Sequence, residues 1–258
     1  MKASEHTLNV NEIPTASARK LSRLQVVWPF ILSVLLSTSQ SGAATPTTET
    51  VRVPITTARA EIQLVTSVGR LKLRPSSGGQ LLDGTLDLGQ NERLERTLGT
   101  RGDTRVVRLA ARSRNIINFN LGTLNQGDVR WLIKLSPKVP LTLKVETGVG
   151  DSTFDLSGLK VTNLSLKGGV DKTTVILPAT GIVTANIEGD IGEISVRLPS
   201  GMQARIQAKS DSGSVRLPGN FQRTGDTSTS KRYASSSNRV DLHITNSVGH
   251  ITVEQAGR

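Results

Sequence analysis

A three-residue phrase recurs through the second half of this chain at a spacing of 21 residues. Val149-Gly150-Asp151, Val170-Asp171-Lys172 and Ile191-Gly192-Glu193 each precede a short alternating strand. Gly213 lies 21 residues after Gly192 and opens the last unit, Gly213-Ser214-Val215-Arg216-Leu217-Pro218. Self-similarity at a short fixed period marks a stacked, quasi-one-dimensional fold. A unit of 21 residues cannot bury its own apolar face, but units stacked about 4.8 Å apart can.

Each unit reads as two arms. Ile182–Ile187 runs up to Gly189-Asp190, and Ile191–Leu198 then runs back out to Pro199. The neighbouring units read alike: Val161–Leu166 with Thr173–Leu177 and Pro178, and Met202–Ala208 with Ser214–Leu217 and Pro218. Strand alternation turns Ile194, Val196 and Leu198 inward and leaves Ser195 and Arg197 in water. Glycine permits the positive-φ corner, and proline after each leucine stops the strand. The expected fold is all-β, a single-stranded β-helix-like solenoid of about 21-residue coils, most regular over residues 141–218.

Ahead of the repeat, residues 51–140 read as an N-terminal β region. Val51–Leu73 gives strand, glycine turn and strand, and Leu81–Leu88, Val106–Ala110, Asn115–Leu121 and Trp131–Leu135 add further strands. Gln90–Leu98 is the one modest helix candidate. Residues 141–258 form the repeat region. Within it, residues 219–239 are polar and read as a mobile loop, and residues 240–253 read as a closing hairpin that caps the solenoid edge.

The N-terminus reads as an export signal. Arg19, Lys20 and Arg23 precede a 13-residue apolar run, Leu24–Leu36, and Ser41-Gly42-Ala43 supplies small residues for cleavage after Ala43. The run is short for a bilayer span; a retained membrane anchor is the alternative. Residues 44–50 then read as a flexible tether. The expected location is periplasmic, envelope-bound or extracellular.

Composition narrows the chemistry. The 258 residues include no cysteine, which removes disulfides, thiolate metal sites and cysteine nucleophiles. The formal net charge is +11, and residues 1–43 account for only a small part of it. Seven arginines fall between residues 92 and 114. Of these, Arg93, Arg96, Arg101, Arg105, Arg108 and Arg112 are the candidate binding residues. They suit teichoic or lipid phosphates, acidic polysaccharide or extracellular DNA. Their structural alternative is a solvated face paired with Glu92, Glu95 and Asp103. Aromatics are 3% of the chain, too few for base stacking, so specific nucleic-acid binding is not expected.

No catalytic or metal site is read. His243 and His250 fall on the outward face of the closing hairpin without a third ligand. Asp151, Asp171, Asp190 and Asp211 recur at corners, where turn chemistry accounts for them better than a calcium roll. Arg101-Gly102-Asp103 spells an integrin tripeptide and is read as a chance match in a turn. No nucleophile elbow or phosphate-binding loop with lysine is present. A polysaccharide-cleaving site is the remaining enzymatic alternative, weakened by the scarcity of aromatic subsites.

The stretch from Trp131 to Asp151, continuing through Phe154–Leu159, resembles the toast-rack family. That family is related to the LiaF-like C-terminal and adhesin-like DUF4097-type bacterial β-repeat domains. The matching elements are Pro140-Leu141-x-Leu143, Gly148-x-Gly150-Asp151, Asp155-Leu156-Ser157-x-Leu159 and the Leu-Pro stops at 177–178, 198–199 and 217–218. The resemblance is dense over residues 129–218 and loose over 50–128. It implies an exported or membrane-attached β-solenoid, in some members tied to envelope-stress sensing, with no agreed catalytic residues and no cofactor. The multi-helix membrane domain of the LiaF-like arrangement is not seen here, which argues against direct membrane signalling. The function expected is an envelope-associated, non-catalytic, adhesin-like binding module. The alternative is an accessory of envelope-stress sensing that acts through a protein partner.

Overall fold

Among the described residues of the computed structural model every regular element is a β-strand, and the strands stack as a β-solenoid. The structure describes residues 47–89, 92–113 and 129–257; the leader, Asn115–Leu121 and Arg114 lie outside them. In chain order the strands are β1 (Thr47–Pro54), β2 (Arg59–Val68), β3 (Arg70–Pro75), β4 (Gln80–Leu88), β5 (Glu92–Arg101), β6 (Thr104–Ser113), β7 (Arg130–Leu135) and β8 (Leu141–Val149). They continue as β9 (Ser152–Asp155), β10 (Val161–Lys167), β11 (Val170–Ile176), β12 (Ile182–Leu198), β13 (Gln203–Arg216), β14 (Gln222–Thr224), β15 (Thr227–Thr229) and β16 (Arg239–Gln255).

All sixteen strands join in one hydrogen-bonded sheet, which the bend of each coil divides into a first-arm sheet and a second-arm sheet. The first arms run β6-β2-β8-β10-β12-β16-β13, all parallel. The second arms run β7-β3-β9-β11-β12-β16-β13, again parallel. The arms of one coil therefore do not pair with each other; β12 passes unbroken from Ile182 to Leu198.

The recurring phrase forms the bend. Gly69, Gly150, Gly192, Gly249 and Gly213 have φ between 121° and 155° and lie at the bend of successive coils. Close stacking adds a second demand. A Cβ on Gly192 would lie 1.7 Å from the Asp171 carbonyl oxygen, and one on Gly249 would lie 1.9 Å from that of Gly192. At these glycine positions only a residue without a side chain fits, while one coil of the column carries Asp171 instead.

The arms alternate as read, so each inward position becomes an aliphatic ladder through the stack. One ladder is Val107, Ile62, Leu143, Leu164, Ala185, Leu242 and Ile206, all at most 2% exposed. In the other sheet Ile133, Leu73, Phe154, Val175, Val196 and Val253 do the same. Each such side chain contributes roughly 1.5–3 kcal/mol by leaving water. Ile194, Val196 and Leu198 are buried, and Arg197 is exposed.

The order of coils in space departs from the order in the chain at both ends. β6 and β7 lie outside β2 and β3, and β16 lies between β12 and β13. Residues 240–253 are thus not a hairpin cap. They belong to a single 17-residue parallel strand inside the stack. The outermost coils are closed by antiparallel strands instead: β5 on β6, β4 and β1 on β7, and β15 and β14 on β13. Antiparallel cover blunts a parallel edge that would otherwise template further strands.

Three local expectations are also corrected. Gln90–Leu98 is not helical where described, because Glu92–Leu98 belongs to β5, whose ladder to β6 outweighs its weak helix preference. Thr47–Thr50 is not tether but the start of β1, paired with Thr85–Leu88. The polar stretch 219–239 is tied down. The Ser230 amide donates to the Ala204 carbonyl at 2.8 Å, and the Arg205 guanidinium stacks 5.1 Å from the Tyr233 ring centre.

Candidate functional site

The antiparallel pairing of β5 with β6 decides which arginines share a face. Arg93 lies opposite Arg112, Thr97 opposite Arg108, and Arg101 opposite Thr104. Arg93, Arg101, Arg108 and Arg112 therefore point outward. Arg96 and Arg105 alternate to the other face, with the buried Val107 and Leu109. Arg96 bonds Glu49 of β1. The Nε of Arg105 is buried without a hydrogen-bond partner. The six candidates thus divide into four outward residues and two that close the end of the core.

Most of the outward four are engaged. Arg93 and Arg112 share Glu95, at 2.9 and 3.4 Å. Arg101 reaches Glu61 at 2.7 Å, and the second oxygen of that carboxylate takes Lys144 at 2.8 Å. Gln63 donates to Glu61 as well. Hydrogen bonds from Lys144 and Gln63, above all, hold the buried Glu61 down at about 2 from its ordinary 4.5. Arg108 forms no ion pair among the described residues. The tripeptide Arg101-Gly102-Asp103 is the β5–β6 turn, with Gly102 at φ 59°. Its aspartate pairs with Arg59 at 3.3 Å, so both charged members are occupied.

A second basic cluster lies on the outer face of the other sheet, on the same two coils. β3 presents Arg70, Lys72 and Arg74, and β7 presents Arg130 and Lys134, with alternate residues buried. The strands are in register, so Arg70 lies beside Arg130 and Arg74 beside Lys134. Neither strand carries a carboxylate. Reading along the chain missed this cluster, because 60 residues separate its two halves. The available signal was the pattern itself, cation alternating with an apolar residue in Arg70–Arg74.

The corner carries a third feature. Val149, Val170, Ile191 and Val248 stack in register immediately before the bend. Each is 46–50% exposed, which makes an aliphatic ridge along the outside of the stack.

The remaining candidates separate in space. His243 lies on the outer face of the first sheet and His250 on that of the second, because β16 bends between them at Gly249. His250 Nδ1 is 2.9 Å from Ser214 Oγ. Asp171 occupies the corner position that glycine holds in neighbouring coils, and accepts from Thr147 and Thr173 at 2.9 and 3.0 Å. Burial, more than its neighbours Asp151 and Asp190, pushes its carboxyl above the usual value. Among the described residues no three acidic or histidine side chains converge as a metal site. A surface groove of about 800 Å³ lies between Gln203, Arg216, Phe221, Lys231 and Gln255.

The fold defines a stacked β-repeat module. The chain belongs to the toast-rack family: residues 40–197 match the model of the N-terminal domain of toast_rack, DUF2154. Its fold is shared with a crystal structure from Clostridium sporogenes ATCC 15579, provisionally named a cell adhesion protein. The two are 24% identical with a TM-score of 0.72, over 82% of this chain and all of that one. A provisionally named adhesin from Bacteroides fragilis NCTC 9343 aligns over 81% of this chain and 97% of its own, at 12% identity. Its TM-score is 0.27, too low to carry an argument. No curated protein matches the chain.

Proposed function

We propose that this protein is an exported, envelope-associated, non-catalytic module of the adhesin-like kind that holds anionic envelope components on a basic surface. The observation that carries this reading is where the cations lie. The coils built from β2, β3, β6 and β7, with β5, place Arg93, Arg101, Arg108 and Arg112 on one outer face. The same coils place Arg70, Lys72, Arg74, Arg130 and Lys134 on the other. One end of a rigid stack thus offers positive charge on two sides, a form suited to holding a charged surface rather than enclosing a small substrate.

The test is fractionation of the tagged full chain followed by a high-salt wash of the envelope pellet. Release by salt alone is the expected result, since exposed charge contacts are screened within about 8 Å at physiological ionic strength. Retention through salt with release by detergent would overturn the reading and indicate an anchored leader.

A second reading, an accessory acting through a protein partner, draws on the corner ridge. A contiguous exposed apolar row is a feature of protein contact sites. A photo-crosslinker at Ile191 that traps one defined protein would favour it. Loss of that product in Val170→Asp would place the contact on the ridge.

A further inference from the structure

The exposed row at the bend is not required by the bend itself. On β13, at the end of the parallel stack, the same position is Ser212, in register with Val248. A polar residue therefore serves the turn. Four successive coils nevertheless keep Val149, Val170, Ile191 and Val248 there, each 46–50% exposed. A contiguous aliphatic row in water is unfavourable unless something covers it. We infer that a second copy of this chain covers it, in a two-fold pair with antiparallel stacks and its axis between Val170 and Ile191. The inference is independent of the anion-binding role.

The charges beside the row choose the occupant and its direction. Three residues before each ridge position, the first arms carry Glu146, Lys167 and Glu188, which are neighbours in register. Two residues after it, the second arms carry Asp151, Lys172 and Glu193, the last two in register. All six are exposed. Sign alternates from coil to coil, and both flanks of one coil carry the same sign. Two copies with parallel stacks would set Glu146 against Asp151, Lys167 against Lys172 and Glu188 against Glu193. That is repulsion at every coil.

Antiparallel stacks lay each flank on the same flank of the other copy, read in reverse. With the axis between Val170 and Ile191, Lys167 meets Glu188 and Lys172 meets Glu193. Further out, Asp151 meets His250 and Glu146 meets Thr245, with no like charges opposed. The ridge closes on itself in the same register, Val170 on Ile191 and Val149 on Val248. Asp190, immediately before Ile191, faces Gly169 of the second copy, which has no side chain to obstruct it. Lys172 and Glu193 already pair within one copy, but both are more than half exposed, so exchanging partners costs little. Four ridge positions at strand spacing span only about 14 Å, so the pair is a weak one that forms in the micromolar range.

The test uses the purified full chain, which has no cysteine of its own. Val149→Cys and Val248→Cys are made separately, both at exposed positions. Under mild oxidation their mixture should give a disulfide-linked dimer and either variant alone should not. Like positions of the two copies lie about 14 Å apart along the stack, beyond the roughly 7 Å that a disulfide spans. Self-crosslinking as strong as that of the mixture overturns the antiparallel arrangement. Sedimentation gives a second readout. Wild type should dimerise as its concentration rises to about 200 µM, and Val170→Asp with Ile191→Asp should stay monomeric. Lys167→Glu with Lys172→Glu, and Glu188→Lys with Glu193→Lys, should each lose self-association about tenfold or more. An equimolar mixture of these two double variants should recover it. A mixture that stays monomeric overturns the charge register, and a wild type that never dimerises overturns the inference. A photo-crosslinker at Ile191 that captures only a different protein overturns it too, and assigns the row to the accessory reading.

Discussion

The corner glycines have two demands on them at once, a left-handed φ and a carbonyl from the next coil where a Cβ would go. Gly192→Ala meets both, at φ 138° and 1.7 Å from the Asp171 oxygen. It should cost about 4 kcal/mol or abolish soluble expression. Gly99→Ala, with nothing within 4 Å of the new methyl, should stay within about 0.5 kcal/mol of wild type in urea denaturation. The corner phrase was visible in the sequence because both demands recur every 21 residues. The exposure of its first residue was not, since Val149 and Ile191 look like core positions until the bend turns them outward.

Ionisable residues make opposite predictions at the same scale. Glu61 titrates near 2 when folded and near 4.5 otherwise. Its contribution is complete above pH 4.5 and is lost as pH falls toward 2. Glu61→Gln should cost about 2 kcal/mol at pH 7 and flatten that part of the stability–pH curve. Asp171 is shifted upward by burial, so it opposes folding at neutral pH and favours it as pH falls through its raised folded value. Asp171→Asn should remove that inverse dependence. Arg105 has a buried, unpartnered Nε; Arg105→Met should raise stability by about 1 kcal/mol, read from the denaturation midpoint.

Among the elements, β16 carries the most consequence. It pairs with β12 over its first and second arms and with β13 on its other side. It also inserts Val240, Leu242, Ile244, Ile251 and Val253 into the core. Deleting residues 239–258 should strip two parallel edges at once and yield aggregates by size-exclusion chromatography. A soluble monomer of native circular dichroism would contradict this placement. Sequence reading recognised the strand pattern of residues 240–253 and mistook its place, because coils of equal period are interchangeable neighbours until side-chain packing chooses among them. The same exchange at the other end lays β7 beside β3. That pairing of 130–135 with 70–75 is what no scan along the chain reveals, and the second basic cluster depends on it.

At the scale of the whole molecule, the two sheets form one continuous stack rather than an N-terminal region joined to a repeat. β2 pairs with β8 and β3 with β9, so the early coils are built into the later ones. In the middle of the second sheet Lys172 and Glu193 pair at 3.1 Å. The direct measurement of the account is the affinity of the full chain for poly(glycerol phosphate) across a series of salt concentrations. The account predicts that log K falls linearly with log salt, as counterion release from a cationic face requires. A flat dependence on salt would contradict it.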